Sequence, residues 1–310
     1  VLEDAAKSAA AIGDADPYPA ALARDVFTEM GFRFSSLCIS SDENGRTLLE
    51  VFCTGIPRQP DYNLLLERLR EKTNVDFMPP VQDEYKKEGA VLSFCERTAY
   101  RAEFYKRSAA AAGENLCGDT VEAFLDGKGH FFCVLSDGMG TGKAAALDSV
   151  MTCSLFSRLL KAGFAPEIAL EAVNCALMVK HGEESLATLD LLALDLYTGQ
   201  ADFYKAGGAV SVVQKSGRTA VVEQSSMPLG IVRETSFAHT GVSLSAGDTV
   251  LLLSDGAGVL PPDYFKGALY RQKDADAKTL CETVLAEAVA RAPVGHADDI
   301  TVACVRLIKN

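Results

Sequence analysis

Apolar positions recur at helical spacing over residues 18–30, then alternate in two short runs, 34–40 and 47–53. Between those runs Asn44-Gly45 supplies the dipeptide of a tight hairpin. A charged helical stretch follows at 61–72, and a short strand at 91–95 ends this first texture. The pattern predicts a small α/β module over residues 1–98. It holds no catalytic constellation and suits regulation or association.

From residue 99 onward strands dominate. Residues 100–106 alternate, and 121–125 with 130–135 form a hairpin around Asp126-Gly127. Two long helices come next, 142–161 closed by Gly163 and 166–180 opened by Pro166. Strands are then predicted at 188–196, 201–205, 210–215, 232–240 and 248–253, with hairpin turns at 197–199 and 215–217. Helices at 263–270 and 277–291 precede a last strand, 300–307. Grouped helices and many antiparallel strands argue for an α+β domain over 99–310, with helices covering sheet faces.

Composition narrows the function classes. Of 310 residues, 48% are apolar and 23% charged, a globular profile with core enough for two domains. The net charge of −12 argues against nucleic acid and anionic membranes as partners. Nine scattered cysteines without a Cys-x-x-Cys spacing read as reduced core thiols, which argues against zinc. No apolar run reaches the roughly 18 residues of a membrane span. The expected location is the cytoplasm. A start at Val1 leaves open an upstream membrane segment, with this chain as the soluble part.

Two apolar strands end in the same letters, Ser136-Asp137-Gly138 and Ser254-Asp255-Gly256. One Asp-Gly after a strand is usually a turn. Two of them, with Asp298-Asp299 before another strand and Asp119 at a strand entry, suggest gathered carboxylates. Such groups repel by about 4 kcal/mol per pair at 4 Å in an effective dielectric near 20. Hard divalent cations would offset that. The glycine-rich 138–143 segment fails the phosphate-loop and dinucleotide patterns, and it reads as a turn whose carbonyls can approach a cation. His296 lies two residues before Asp298, but a loop histidine is the commoner case. No Gly-x-Ser-x-Gly elbow accompanies Ser136 or Ser254.

Five segments stand in an order that resembles the metal-dependent type 2C (PPM) protein serine/threonine phosphatases. They are Asp137-Gly138-Met139-Gly140, Ala187 to Asp190, Met227 to Gly230, Ser254-Asp255-Gly256 and Asp298 to Thr301. The similarity is strongest to the bacterial branch typified by the stage II sporulation protein E phosphatase, and it covers residues 99–310. The resemblance implies a two-sheet antiparallel β-sandwich flanked by helix layers, and two Mn²⁺ or Mg²⁺ ions. Asp137 would bridge them, the Gly138 carbonyl and Asp119 would serve one, and Asp255 with Asp298 the other. Asp299 is the lesser candidate of its pair. It also implies a phosphoserine or phosphothreonine protein as substrate, typically a STAS-domain anti-sigma-factor antagonist in sporulation or stress control. A general phosphatase acting on kinase substrates and a non-catalytic scaffold with the same fold are the alternatives.

The expected chemistry is attack on phosphorus by a water that the metals at Asp137 and Asp255 activate, without a phosphoenzyme. Helices 142–161 and 166–180 leave directly from the Asp137 loop. Residues 1–98, associating as a homodimer, are therefore expected to set those helices and with them the metal site.

Overall fold

The computed structural model describes residues 17–85, 89–140, 142–179, 186–223, 226–232, 237–272, 275–293, 295 and 298–310. The chain divides into two compact units. The first ends at Ala99 and takes in Leu125–His130; the second holds Tyr100–Phe124 and Phe131–Asn310.

Among the described residues, the first unit is a four-stranded antiparallel sheet with two helices. Its strands are β1 (Arg33–Ser41), β2 (Thr47–Gly55), β3 (Val81–Tyr85) and β4 (Gly89–Cys95), in the order β1-β2-β4-β3. The helices are α1 (Pro17–Glu29) and α2 (Tyr62–Thr73). Asp61 caps α2 by accepting the Leu64 N–H at 3.0 Å, which satisfies one of the donors a helix start leaves open. Phe27 sits at the centre of the core, edge-on to Phe32, Phe34 and Phe94. Strand β3 was not anticipated. Among the described residues it pairs with β4 alone, at the sheet edge, where its polar residues need no apolar face.

The second unit stacks two five-stranded sheets. One runs β11 (Arg218–Val222), β10 (Ser211–Lys215), β13 (Thr249–Leu253), β14 (Ile300–Lys309), β5 (Tyr100–Ala109). The other runs β12 (Ala238–Ser243), β9 (Gln200–Ala206), β8 (Leu189–Asp195), β7 (His130–Asp137), β6 (Asp119–Leu125). Side chains alternate across each strand, so β13 sends Val250 and Leu252 between the sheets and Leu251 and Leu253 outward. Outside the first sheet lie α5 (Pro262–Arg271) and α6 (Ala277–Arg291), with Phe265, Leu280 and Val284 on those outward residues. Outside the second lie α3 (Gly142–Lys161) and α4 (Pro166–Val179), whose Phe156, Leu170 and Val173 pack on Val134 and Leu191. The result is a helix–sheet–sheet–helix sandwich, and a strand buried on both faces reads as the unbroken apolar run that β13 shows.

A strand is expected over 232–240; of that stretch 233–236 lie outside the described residues, and the described strand is Ala238–Ser243, in register with β9 from Ala238↔Lys205 to Ser243↔Gln200. Edge pairing fixed it rather than apolar alternation, because its residues lie half-buried or exposed. Among the described residues, no helix is long and apolar enough to cross a membrane.

Candidate metal centre

Each sheet contributes strand ends to one place. Asp119 opens β6 and Asp137 closes the neighbouring β7. Asp255 follows β13 and opens a short 3₁₀ turn, Asp255–Val259, while Asp298 precedes β14. Because β13 and β14 pair antiparallel from Leu253↔Val302, their aspartates emerge at the same end.

The electrostatics show which carboxylates meet. Asp137 is pushed up to about 9, first by burial, then by the charges of Asp119 and Asp255 beside it. Asp119 rises to about 6, chiefly through burial. Asp298 is raised by burial and by Asp255. The four therefore form a string, Asp119–Asp137–Asp255–Asp298, with Asp137 inside it. Among the described residues no three acidic, imidazole or thiol groups converge on a single point.

Asp119 is 8% exposed, and neither of its carboxylate oxygens has a well-formed hydrogen bond. The hydroxyls of Thr301 and Ser254 lie close enough to draw its pKa back down, without the alignment of full hydrogen bonds. An uncompensated buried carboxylate is costly, and these oxygens fit a cation. The donor set is all oxygen, as hard divalent ions prefer.

Asp299 has a different task. It is 2% exposed, and its two oxygens accept the Ala111 N–H at 2.7 Å and the Gly118 N–H at 2.6 Å. That ties the β14 entry to the segment leading into β6. Ser254 donates to the Asp299 carbonyl at 3.3 Å and accepts the Thr301 N–H at 2.8 Å. Ser136 donates to the Thr188 carbonyl at 2.7 Å. The serines before the two Asp-Gly pairs are thus struts. Gly138 is required by closeness, since a Cβ there would lie 2.0 Å from the Ala145 carbonyl oxygen on the first turn of α3.

Backbone ladders brace the Asp137–Gly138 turn. Thr188 N–H donates to the Asp137 carbonyl at 2.8 Å, and Ala187 bridges Gly138 on one side and Leu229 on the other. Asn174 of α4, fully buried, accepts the Gly230 N–H and donates to the Val232 carbonyl, both at 2.8 Å. Sequence reading set Asp299 aside as the lesser ligand candidate, quoted Thr188 and Asp190 within a matching segment without giving them a role, and gave Asn174 and Lys205 none. The signal of Asp190 and Lys205 was legible only as charges of opposite sign within β8 and β9. His296 and Thr141 lie outside the described residues. His130 pairs with Asp126 at 2.8 Å, and His239 with Asp202 at 3.0 Å, so neither joins the string. Cys117, close to Thr301, is held as a thiol by a pKa pushed up to about 11 through burial.

Two strand-built sheets with acidic strand ends and outer helix pairs are the PP2C phosphatase architecture. The structure of the PP2C phosphatase domain with a fragment of the regulatory domain of SpoIIE from Bacillus subtilis superposes with a TM-score of 0.66. It covers 93% of this chain and 87% of that one at 24% identity, which speaks for the fold alone. The profile of the family described as Stage II sporulation protein E (SpoIIE) matches residues 127–308, and the chain belongs to that family. Stage II sporulation protein E of Bacillus subtilis strain 168 is 27% identical over 225 residues, 71% of this chain but 27% of the relative. Phosphoserine phosphatase RsbP of the same strain is 24% identical over 196 residues, 61% of this chain and 48% of the relative. The chain therefore spans about a quarter to a half of the length of these relatives.

Proposed function

We propose that this chain hydrolyses phosphoserine or phosphothreonine on a protein substrate, using divalent cations held by Asp119, Asp137, the Gly138 carbonyl, Asp255 and Asp298. The observation that carries the reading is the pair of buried Asp119 oxygens without aligned partners, next to an Asp137 raised to about 9. When bound, Mn²⁺ or Mg²⁺ neutralises phosphoryl charge and makes coordinated water acidic near neutral pH. A string of carboxylates suits two ions better than a cage for one. Asp119 and the Gly138 carbonyl would hold one ion, Asp255 and Asp298 the other, and Asp137 would contribute to both. Asp299, engaged by two backbone N–H groups, keeps the frame rather than a ligand.

The substrate we favour is a phosphorylated STAS-domain anti-sigma-factor antagonist, because the named relatives belong to sporulation and to phosphoserine chemistry. The first unit is assigned to regulation by self-association. The test is release of phosphate from a phosphoserine STAS protein. We expect Mn²⁺-dependent turnover that EDTA stops, that Mn²⁺ restores better than Zn²⁺, and that Asp137→Asn abolishes. Zinc-only restoration, or near-normal turnover by Asp137→Asn, would sink the assignment. Turnover of unrelated phosphopeptides at equal rate would leave the chemistry and remove the substrate.

A further inference from the structure

Among the described residues, Lys205 is the largest fully buried charged side chain, at 1% exposure. It stands directly across from Asp190 in the β8–β9 ladder, and its Nζ lies 3.0 Å from Asp190 Oδ1. The contact is ionic rather than a well-aligned hydrogen bond, since Oδ1 has none. The Nζ donates instead to the Ala209 carbonyl at 2.6 Å. A lysine spends its charge in an interior only where something holds it there, and hydrophobic residues of similar size often serve stability as well. Stability is thus a weak reason for this pair, and its surroundings supply a better one.

The pair anchors the chain reversal that follows β9. Ser226 Oγ donates to the Lys205 carbonyl at 2.9 Å and accepts the Gly207 N–H at 3.0 Å. Gly207 lies directly against Pro228, and Gly208 against the Asp190 carboxylate, where a Cβ would fall 2.0 Å from Oδ1. Pro228 leads into Leu229, whose N–H donates to the Ala187 carbonyl at 2.9 Å. Ala187 in turn bridges Gly138. A continuous set of contacts therefore runs from the ion pair through 226–229 and Ala187 to the turn that carries Asp137 and Gly138.

We propose that Asp190 and Lys205 form a positioning pair for the metal-bearing turn: they fix the 207–209 reversal, which seats the 226–229 segment on Ala187 and so sets Gly138. The proposal rests on the metal assignment above. Neither residue is expected to touch metal or substrate. Outer partners that orient metal ligands typically affect affinity 10–100-fold. A pair acting through three contacts belongs at the low end, about tenfold.

The experiment measures Mn²⁺ binding directly, by the EPR signal of free Mn²⁺, on the full chain. The charge-free variant Asp190→Asn/Lys205→Met keeps the shape under Gly208 and leaves no lone buried charge. It is expected to melt cooperatively, to bind Mn²⁺ about tenfold more weakly, and to keep kcat within about threefold at saturating Mn²⁺. Gly208→Ala, which pushes on the Asp190 carboxylate from the other side, is expected to weaken Mn²⁺ binding in the same direction. Wild-type Mn²⁺ affinity in both variants overturns the positioning role, as does a loss that only tracks the folded fraction. A wild-type chain that binds Mn²⁺ yet hydrolyses no phosphoprotein overturns the phosphatase reading alone. One that binds no Mn²⁺ overturns both.

Discussion

Asp299 holds backbone, its neighbour Asp298 is proposed to hold metal, and substitution separates the two roles. Asp299→Ala leaves the buried N–H groups of Ala111 and Gly118 without acceptors. Each such orphan costs about 1–3 kcal/mol, so the variant is expected to lose about 3 kcal/mol. In a unit of about 200 residues that is roughly 10 °C of melting temperature. Asp298→Asn keeps an acceptor for the Asp299 N–H, bonded at 3.0 Å, and is expected to melt within about 2 °C of wild type. Its Mn²⁺ affinity, read by the same titration, is expected to fall at least tenfold. The reverse pattern, a stable Asp299→Ala and an unstable Asp298→Asn, would exchange their assignments. The string itself was readable from the letters, because Asp-Gly after an apolar strand is a local signal. Asp299's role was not, because its partners lie 188 and 181 residues away.

Helix α4 holds the 230–232 backbone through Asn174. Asn174 spends its donor and its acceptor on the 230–232 backbone, so Asn174→Asp keeps the Gly230 bond and loses the donor to Val232. That variant is expected to lose about 1–3 kcal/mol and to raise the Mn²⁺ concentration needed for half-maximal turnover. Asn174→Leu, which fills the same space, is expected to do no better, since it frees both backbone groups. Equal Mn²⁺ requirements across the series would detach α4 from the metal turn. At this scale the sequence was most informative where burial is two-sided or periodic: β7, β13, β14 and both long helices stand where the patterns put them. It was least informative at sheet edges. Strands β3 and β12 are polar or half-exposed, and backbone pairing holds them where an apolar face does not. A lysine and an aspartate in successive strands are visible as letters, but only the β8–β9 register shows that they meet.

For the whole molecule the acidic string links pH, metal and stability. Asp137 has a folded pKa of about 9 against an ordinary value of 3.8, and Asp119 about 6. Between those limits the metal-free folded chain binds more protons than the unfolded one. Its stability therefore falls as pH rises from about 4 towards 9, the reverse of a salt-bridged carboxylate. Metal binding needs the carboxylates ionised and so expels protons. Affinity for Mn²⁺ is then expected to rise over the same window in which the metal-free chain weakens. Metal at 100 times its Kd adds about 2.7 kcal/mol to the state that binds it. At fixed Mn²⁺, the rise in melting temperature over an EDTA control is thus expected to be larger at pH 8 than at pH 6. Calorimetric titrations at pH 7 in buffers of different ionisation enthalpy should show net proton release on Mn²⁺ binding. Asp137→Asn, which carries no ionisable group there, should flatten the metal-free pH slope towards 9 as well as abolish turnover. A metal-free chain that instead gains stability from pH 5 to 8, with no proton released on Mn²⁺ binding, would mean that these carboxylates are already compensated by the protein.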